Sequence, residues 1–382
     1  MSQTKRSLRR AQEIAFNANA HLPVSYQEEI YKERLKFDKK ILSPREIERR
    51  KILIFGGAGY IGSVLSGHLL GRGYKVRVSD GLYFNNGITV LPHFDNPDFE
   101  FLYGDITDKD HIETVLKNVT DVVILTGLVG DPITKKYPRE SSRVNDRGIL
   151  RLIDSCSNRG IARVIFVSTC SNYGLIPDNI SADEEYELSP LSLYAKSKVA
   201  AELHLLSLKG VVDYSATILR FATAFGLSSR MRFDLTVSEF TRTMYRGEDL
   251  LVYDADTWRP YCHVKDFAEV IRRVLEAPSQ RVDFQVFNAG GDVNNATKQT
   301  IVDIIKSLVV EAPVRYQKHG ADPRNYRVNF KRIREAIYFE PSMTIRDGVI
   351  ELLSALRQGL FLEIDQPPSF YGNWTLPPNV SR

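Results

Sequence analysis

Hydrophobic positions change their period at residue 51. Ahead of it, apolar residues recur among charged ones at helical spacing, over Ala11–Ala18 and again over Tyr26–Ile41 with Ile30, Leu35 and Ile41. Ser43-Pro44-Arg45-Glu46 has the form of a capping box with proline at the first helical position. From 51 on, short apolar runs alternate with helical patterns. Strands are expected at 51–55, 75–79, 99–103, 121–126, 163–168 and 214–219. Helices are expected between them, at Asp110–Lys117, Ser141–Asn158 and Leu193–Leu208. This alternation predicts an α/β fold, a Rossmann-type doubly wound parallel sheet covered on both faces. Beyond 226, helices are expected at Asp234–Tyr245, Asp266–Glu276, Lys298–Leu308 and Ile345–Arg357, with short strands at Leu250–Tyr253 and Gln285–Asn288. The chain then divides into an N-terminal helical basic extension (1–50), the sheet domain (51–226, with parts of 255–295 returning to it), a smaller C-terminal α/β domain (227–362) and a Pro-rich tail (363–382).

Composition narrows the class. With 382 residues, 43% of them hydrophobic and 26% charged, the chain can bury a large core. No apolar run approaches the roughly 18 residues of a membrane span, and no apolar segment of a signal peptide opens the sequence. The first twelve residues are basic, but Glu13, Glu28 and Glu29 run against a mitochondrial presequence. Three cysteines, Cys156, Cys170 and Cys262, lack metal-ligand spacing, and their low, odd number fits a reducing compartment. A cytoplasmic protein without a metal is expected. Residues 1–50 hold 12 of the 51 basic residues and 7 of the 47 acids, leaving the body near neutral. A near-neutral body argues against nucleic acid as the main ligand. The extension reads either as a solvated helix lying on the body or as a device for assembly or for covering a cleft.

The glycines carry the first chemistry. Ile52–Phe55 is followed by glycines at 56, 59 and 62 and then by the helical pattern Val64, Leu65, Leu69, Leu70. A helix N-terminus entered by such a turn offers free N–H groups and a positive dipole end to a pyrophosphate. Tyr60 and Ile61 lie inside this loop. The second strand ends in Asp80, whose carboxylate suits ribose hydroxyls and repels a 2′-phosphate, so NAD is favoured over NADP. Ligands of such sheets bind beyond the carboxyl ends of the strands, which points to Asp105 and Ile106, to Leu125-Thr126-Gly127 and to Ser168–Gly174.

Tyr194 and Lys198 stand four apart on a predicted helix and share one face. An ammonium near a phenol favours the phenolate, and an unperturbed phenol near pKa 10 is too weak a base at neutral pH, so the pair suggests proton abstraction. Thr169, at the end of the preceding strand, can bond the same substrate hydroxyl.

Together these residues resemble the extended short-chain dehydrogenase/reductase family, specifically its NAD-dependent nucleotide-sugar epimerase/dehydratase group, over residues 50 to 360. Gly56-Gly-Ala-Gly-Tyr-Ile-Gly62 matches the cofactor loop, Asp80 the ribose position, and Asp105-Ile106 the adenine position. The resemblance implies Thr169, Tyr194 and Lys198 as the catalytic set. It places Asn145 and Phe221 with the cofactor residues, and Thr169, Cys170, Ser171 and Thr223 with the substrate. Arg259, in Arg259–Asp266, and Arg324, in Asp322–Tyr326, are implied as grips on a nucleotide diphosphate, to which guanidiniums suit as fixed cationic donors. A homodimer is implied as well, with the Tyr194 helix a candidate for its interface.

Departures from the family pattern sharpen the reading. The group's dehydratases carry Asp-Glu after the catalytic Thr, whereas Cys170 and Ser171 stand here, which disfavours 4,6-dehydration. Thr223 replaces a usual Asn. Cys170 reads either as an acid/base on the sugar ring or as a buried structural thiol. The activity expected is an NAD-dependent nucleotide-sugar 4-epimerase, like UDP-glucose 4-epimerase, working through a 4-keto intermediate. The alternatives are a 4-keto-6-deoxy-sugar reductase and a non-catalytic NAD sensor. In the tail, Trp374 is a candidate to pack on a neighbouring subunit.

Overall fold

Lys51–Phe55 forms β1, and Ile52 through Phe55 are buried, as the unbroken apolar run requires of a strand covered on both faces. The coordinates are a computed structural model describing residues 42–309, 312–320, 324–361 and 371–376, together with Lys32, Leu35 and Phe37. The expected helix at Ala11–Ala18 and most of Tyr26–Ile41 lie outside the described residues. The three described positions of the latter are helical, and Phe37 is buried edge-on against Tyr338 at 5.5 Å between ring centroids. That part of the extension therefore rests on the body. Pro44–Glu48 is a one-turn helix whose capping box is formed, with the Ser43 N–H donating to Glu46 Oε2 at 2.7 Å.

Seven parallel strands make the central sheet. They are β1 (Lys51–Phe55), β2 (Lys75–Asp80), β3 (Phe99–Tyr103), β4 (Asp121–Ile124), β5 (Arg163–Thr169), β6 (Ser215–Phe221) and β7 (Gln285–Ala289). Their order is β7-β6-β5-β4-β1-β2-β3. The order reverses between β1 and β4, which pair directly, Phe55 opposite Ile124. A crevice opens outside the carboxyl ends of strands at such a switch point. One hydrophobic cluster, with Ile52, Ile54, Val123, Ile165 and Phe267, covers one face of the sheet. A second, with Leu53, Phe55, Ile124, Leu152 and Phe166, covers the other.

The helices that matter for the site are α1 (Gly62–Leu70), α2 (Asp131–Lys136), α3 (Leu193–Ser207), α4 (Thr236–Tyr245), α5 (Val264–Glu276), α6 (Lys298–Lys306) and α7 (Ile345–Arg357). The segment expected as one helix at Ser141–Asn158 is instead three pieces: Pro138–Ser141, a π-helical turn Ser142–Gly148, and Ile149–Ser155. Periodicity reads the apolar face but not a local change in hydrogen-bond register, and π-turns gather at functional sites.

The later chain builds its own core. Thr223–Phe225, Trp258–His263 and Asn295–Thr297 form a three-stranded sheet, and Leu250–Tyr253 pairs with Val314–Gln317. Helices α4, α6 and α7 pack around Phe225, Phe240, Val252, Tyr261, Ile301 and Val349. The turn after β6 is fastened from this side: Glu351 on α7 accepts from the Leu227 N–H at 3.1 Å and lies 2.9 Å from the buried His263 Nε2.

Candidate active site

The glycine turn closes tightly against β4. Gly56 has φ +86°, and a Cβ there would stand 2.8 Å from the Thr126 nitrogen. At Gly62, which opens α1, a Cβ would stand 2.4 Å from the Gly56 oxygen, so only glycine lets helix and turn approach. Asp80 follows in the same crevice. Its carboxylate accepts from the Ala58 N–H at 3.1 Å and the Leu82 N–H at 2.8 Å, while burial holds its pKa above the ordinary carboxylate value. Each oxygen keeps a further lone pair for a hydroxyl donor. Asp105 accepts from the Tyr83 hydroxyl at 2.6 Å and has the Arg143 guanidinium at 3.4 Å.

Leu125, Thr126 and Gly127 continue the wall beyond β4. Asn145 does not line it, which corrects its expected contact with the cofactor. From the π-turn its amide braces the loop from behind, Oδ1 accepting from the Leu128 N–H at 2.8 Å and Nδ2 donating to the Leu128 carbonyl at 3.0 Å.

At the end of β5, Thr169 caps the short helix Cys170–Tyr173: its Oγ1 accepts from the Ser171 N–H at 3.1 Å, which leaves its own O–H to donate into the cavity. Cys170 turns away. Its thiol is buried, donates to the Arg220 carbonyl at 3.1 Å, and has its pKa pushed up by burial. Neither the expected substrate contact nor an acid/base role suits it. Ser171 stays on the cavity side.

Helix α3 begins at a Ser192 cap and brings Tyr194 and Lys198 to the same wall on one buried face. Lys198 Nζ donates to the Val167 carbonyl at 2.9 Å and sits 6.0 Å from the Tyr194 ring centroid. Burial pushes the ammonium pKa down to about 8, opposed by Glu202. The Tyr194 phenol, contrary to the expectation of a lowered pKa, is raised above 10 by burial; Arg232 and Arg324 oppose this, and Asp131 and Tyr326 reinforce it. Removing a phenolate from water outweighs the charges around it. One turn on, buried Glu202 ties α3 to the sheet, accepting from Ser168, from Asn172 at 2.8 Å and from Arg220 Nη2 at 2.8 Å.

Arg259 lies in the wall with its guanidinium 4.9 Å from the Tyr326 ring centroid. Arg324 is beside the end of β5, donating to Ser171 Oγ at 3.2 Å. Thr223 and Phe221 line the cavity, as do Tyr60, Ile61 and Ile106.

Sequence reasoning missed several residues of this wall. The turn after β6 contributes Arg230 and Arg232, the latter paired to Asp234 at 2.9 Å. Asp131 enters from the N-terminus of α2, and Tyr326 from the late segment. Asn373 and Trp374 belong to it too, so the described part of the tail folds onto its own chain's site. Only the rule that ligands gather beyond strand ends points to Asp131; nothing in the sequence points to the tail.

The whole cavity measures about 450 Å³ and runs from the glycine turn past Asp80 to Thr169, Tyr194 and Lys198. That volume falls in the range of small-molecule sites. Glycines where a Cβ would collide, a helix N-terminus and a ribose-facing carboxylate fit a dinucleotide, and the hydroxyl, phenol and ammonium beyond them fit chemistry on an alcohol carbon. Fold and cavity thus define a dinucleotide-dependent oxidoreductase-type enzyme. The sequence profile of the NAD dependent epimerase/dehydratase family matches residues 52–290, well over half of the chain, and the chain belongs to that NAD-dependent family of extended short-chain dehydrogenase/reductases. The dTDP-glucose 4,6-dehydratase of Streptomyces niveus is 27% identical over 321 residues, covering 80% of this chain and 93% of that protein. The UDP-glucose 4-epimerase of Corynebacterium glutamicum is 26% identical, covering 79% and 94%. Among solved structures, MoeE5 in complex with UDP-glucuronic acid and NAD superposes with a TM-score of 0.71 at 25% identity, over 81% of this chain and all of that one.

Proposed function

We propose that this enzyme is a nucleotide-sugar 4-epimerase. The observation that carries the reading is the convergence of Thr169, Tyr194 and Lys198 on the far end of the dinucleotide cavity, with Cys170 and Ser171 where the dehydratase carboxylates would stand. The relatives act on or bind UDP- and dTDP-linked sugars by their names, which supports a nucleoside-diphosphate sugar as substrate. Gly56, Gly59, Gly62, Asp80 and Asp105 would hold NAD, which would supply the hydride acceptor and donor for the sugar C4. Thr169 donates its free O–H to the C4 oxygen. Tyr194 takes the C4 hydroxyl proton and returns it once the 4-keto sugar has turned in its pocket. Lys198, Arg232 and Arg324 supply the positive field that a phenolate needs there. Arg259 anchors the diphosphate while the sugar turns, so the intermediate is not lost.

The test is to incubate the purified protein and NAD with UDP-, dTDP- and GDP-hexoses and follow C4 configuration by proton NMR. Interconversion of one C4 pair without net change in NAD is the expected result. Unchanged configuration on every sugar, or one NADH consumed per sugar, overturns the reading.

A further inference from the structure

The glycine turn suited to a pyrophosphate carries no cation of its own: Gly56 through Val64 hold no ionisable side chain except the Tyr60 phenol. Its N–H groups and the α1 dipole amount to about half a positive charge, against two phosphates. Among the described residues, the cations of the wall are Lys198, Arg230, Arg232, Arg259 and Arg324. Lys198 sits by Tyr194, Arg324 by Ser171 and Arg259 by Tyr326, while Arg232 acts on the Tyr194 phenol. These belong to the far end of the cavity. Arg230 acts at the near end, on Asp80, where burial raises the carboxyl pKa and the guanidinium opposes it.

The place of Arg230 follows from how the turn after β6 is fastened. The Tyr60 hydroxyl donates to the Gly226 carbonyl at 2.6 Å. Ser228 Oγ donates to the Tyr60 carbonyl at 2.7 Å and lies 2.9 Å from Ser63 Oγ in the first turn of α1. The Arg230 N–H in turn donates to Ser228 Oγ at 3.3 Å. The side chain, 4% exposed, then reaches the loop after β2, where its guanidinium lies 4.8 Å from the Phe84 ring centroid. That loop is itself tied to the glycine turn, Asn86 Nδ2 donating to the Ala58 carbonyl at 2.8 Å. Arg230 therefore runs from the N-terminus of α1 to the neighbourhood of Asp80. A dinucleotide with its pyrophosphate at that N-terminus and its adenosine ribose at Asp80 must lay its phosphates along the same stretch, because only the ribose 5′ carbon separates the two.

We infer that Arg230 is a cofactor-binding residue, its guanidinium donating to the NAD pyrophosphate from the turn after β6. A planar fork of N–H donors matches phosphate oxygens. The charged groups acting on it are Arg232, Asp234 and Asp80: burial and then the like charge of Arg232 push its pKa down to about 10, and the two carboxylates oppose this. It remains a cation at neutral pH, and phosphates beside it would offset the cost of burying that charge. The inference holds whichever sugar is turned over. Nη2 also holds the tail, donating to the Gly372 carbonyl and to Asn373 Oδ1, so a loss of affinity alone would not tell contact from packing.

Calorimetry with NAD and phosphorus NMR of the bound dinucleotide, both on the full chain, separate the two. Arg230→Gln removes the cation and keeps a donor for the tail. It should raise the Kd for NAD roughly ten- to a hundred-fold, the range of a lost charge-assisted hydrogen bond, and move the bound pyrophosphate resonances. Wild-type affinity in a folded Arg230→Gln protein overturns the inference. Weakened binding with wild-type phosphorus resonances overturns it too, since the residue would then act through the tail. Should Arg230→Gln not fold, Arg230→Lys decides: a compact ammonium in place of the fork should move the resonances, and unmoved resonances refute the contact. Each of these failures leaves the epimerase reading standing, whereas a wild type that shows the contact and turns over no sugar sinks that reading alone.

Discussion

Tyr194 and Lys198 lie on one face of one helix, yet burial acts on them in opposite senses, raising the phenol and depressing the ammonium. Both shifts favour the neutral form, so ligand charge has to complete the site. Tyr194→Phe should bind NAD as the wild type does and lose about 10²–10⁴-fold in kcat, the range of a missing acid/base group. Equal losses of NAD affinity and kcat would mark the phenol as structural. Lys198 gives a pH signature. With its value near 8, the ammonium is charged below that pH and neutral above it. NAD affinity should therefore weaken as pH rises through about 8, and Lys198→Met should bind more weakly throughout with a flat pH profile. Calorimetry between pH 6.5 and 9.5 decides the point, and a wild-type profile without an inflection refutes it.

At the scale of elements, the strand–turn–helix unit at Lys51–Leu70 sets where everything else sits. Gly62→Ala places a Cβ 2.4 Å from the Gly56 oxygen and 2.6 Å from the Gly57 Cα, both backbone atoms. Overpacking of this kind costs about 1–3 kcal/mol. The variant should melt several degrees lower and bind NAD at least ten-fold more weakly; wild-type values on both counts would mean the turn has slack. The fastening of α7 is a second prediction. Glu351, bonded by His263, Lys265 and the Leu227 N–H, has its pKa lowered from 4.5 to about 2. Between those values the unfolded chain binds more protons than the folded one, so this stabilisation is complete above 4.5 and lost as pH falls toward 2. It amounts to on the order of 3 kcal/mol at neutral pH. Glu351→Gln should lower stability at pH 7 and converge with the wild type in acid, as denaturant titrations at pH 7 and pH 3 will show. What the sequence made legible follows the same physics. β1, β4 and β5 were readable because strands buried on both faces carry apolar runs, β2 and the edge strand β3 because apolar residues alternate along them (Val76 and Val78, Phe99 and Phe101), and the glycines because their spacing is dictated by the turn. The π-turn at Ser142–Gly148 was not, since it changes hydrogen-bond register without changing the apolar face. Arg230, Arg232 and Asp131 come from connections whose course depends on packing far along the chain, such as the grip of α7 on Leu227, and no local pattern encodes that.

At the scale of the molecule, the described tail joins the end of the chain to the cofactor crevice. The Phe233 N–H donates to the Tyr371 carbonyl at 2.7 Å, and Arg230 donates to the Gly372 carbonyl at 3.2 Å and to Asn373 Oδ1 at 3.0 Å. Asn373 in turn reaches across the crevice, its Nδ2 donating to the Val129 carbonyl at 3.1 Å and its N–H to Asp234 Oδ2 at 3.2 Å. Leu376 packs on Leu128 and Ile133, beside Tyr83 and Phe84. The segment thus links the loop after β4 to the turn after β6, the two sides of the crevice, and Trp374 lines it in between. An epimerase that oxidises and then reduces one sugar has no need to exchange its cofactor, and a band of this kind suits a cofactor that stays. Asn373→Ala removes two side-chain hydrogen bonds, one of them to a guanidinium, worth together about 1–3 kcal/mol. If the band must detach for NAD to leave, release should quicken by roughly ten-fold or more, since 1.4 kcal/mol is a factor of ten. A chase of bound NADH with excess NAD, followed by the loss of energy transfer from tryptophan in a Trp258→Phe background, measures that rate through Trp374 itself. Release at the wild-type rate from a folded Asn373→Ala protein would show that the cofactor leaves by another side, and that the tail only packs there.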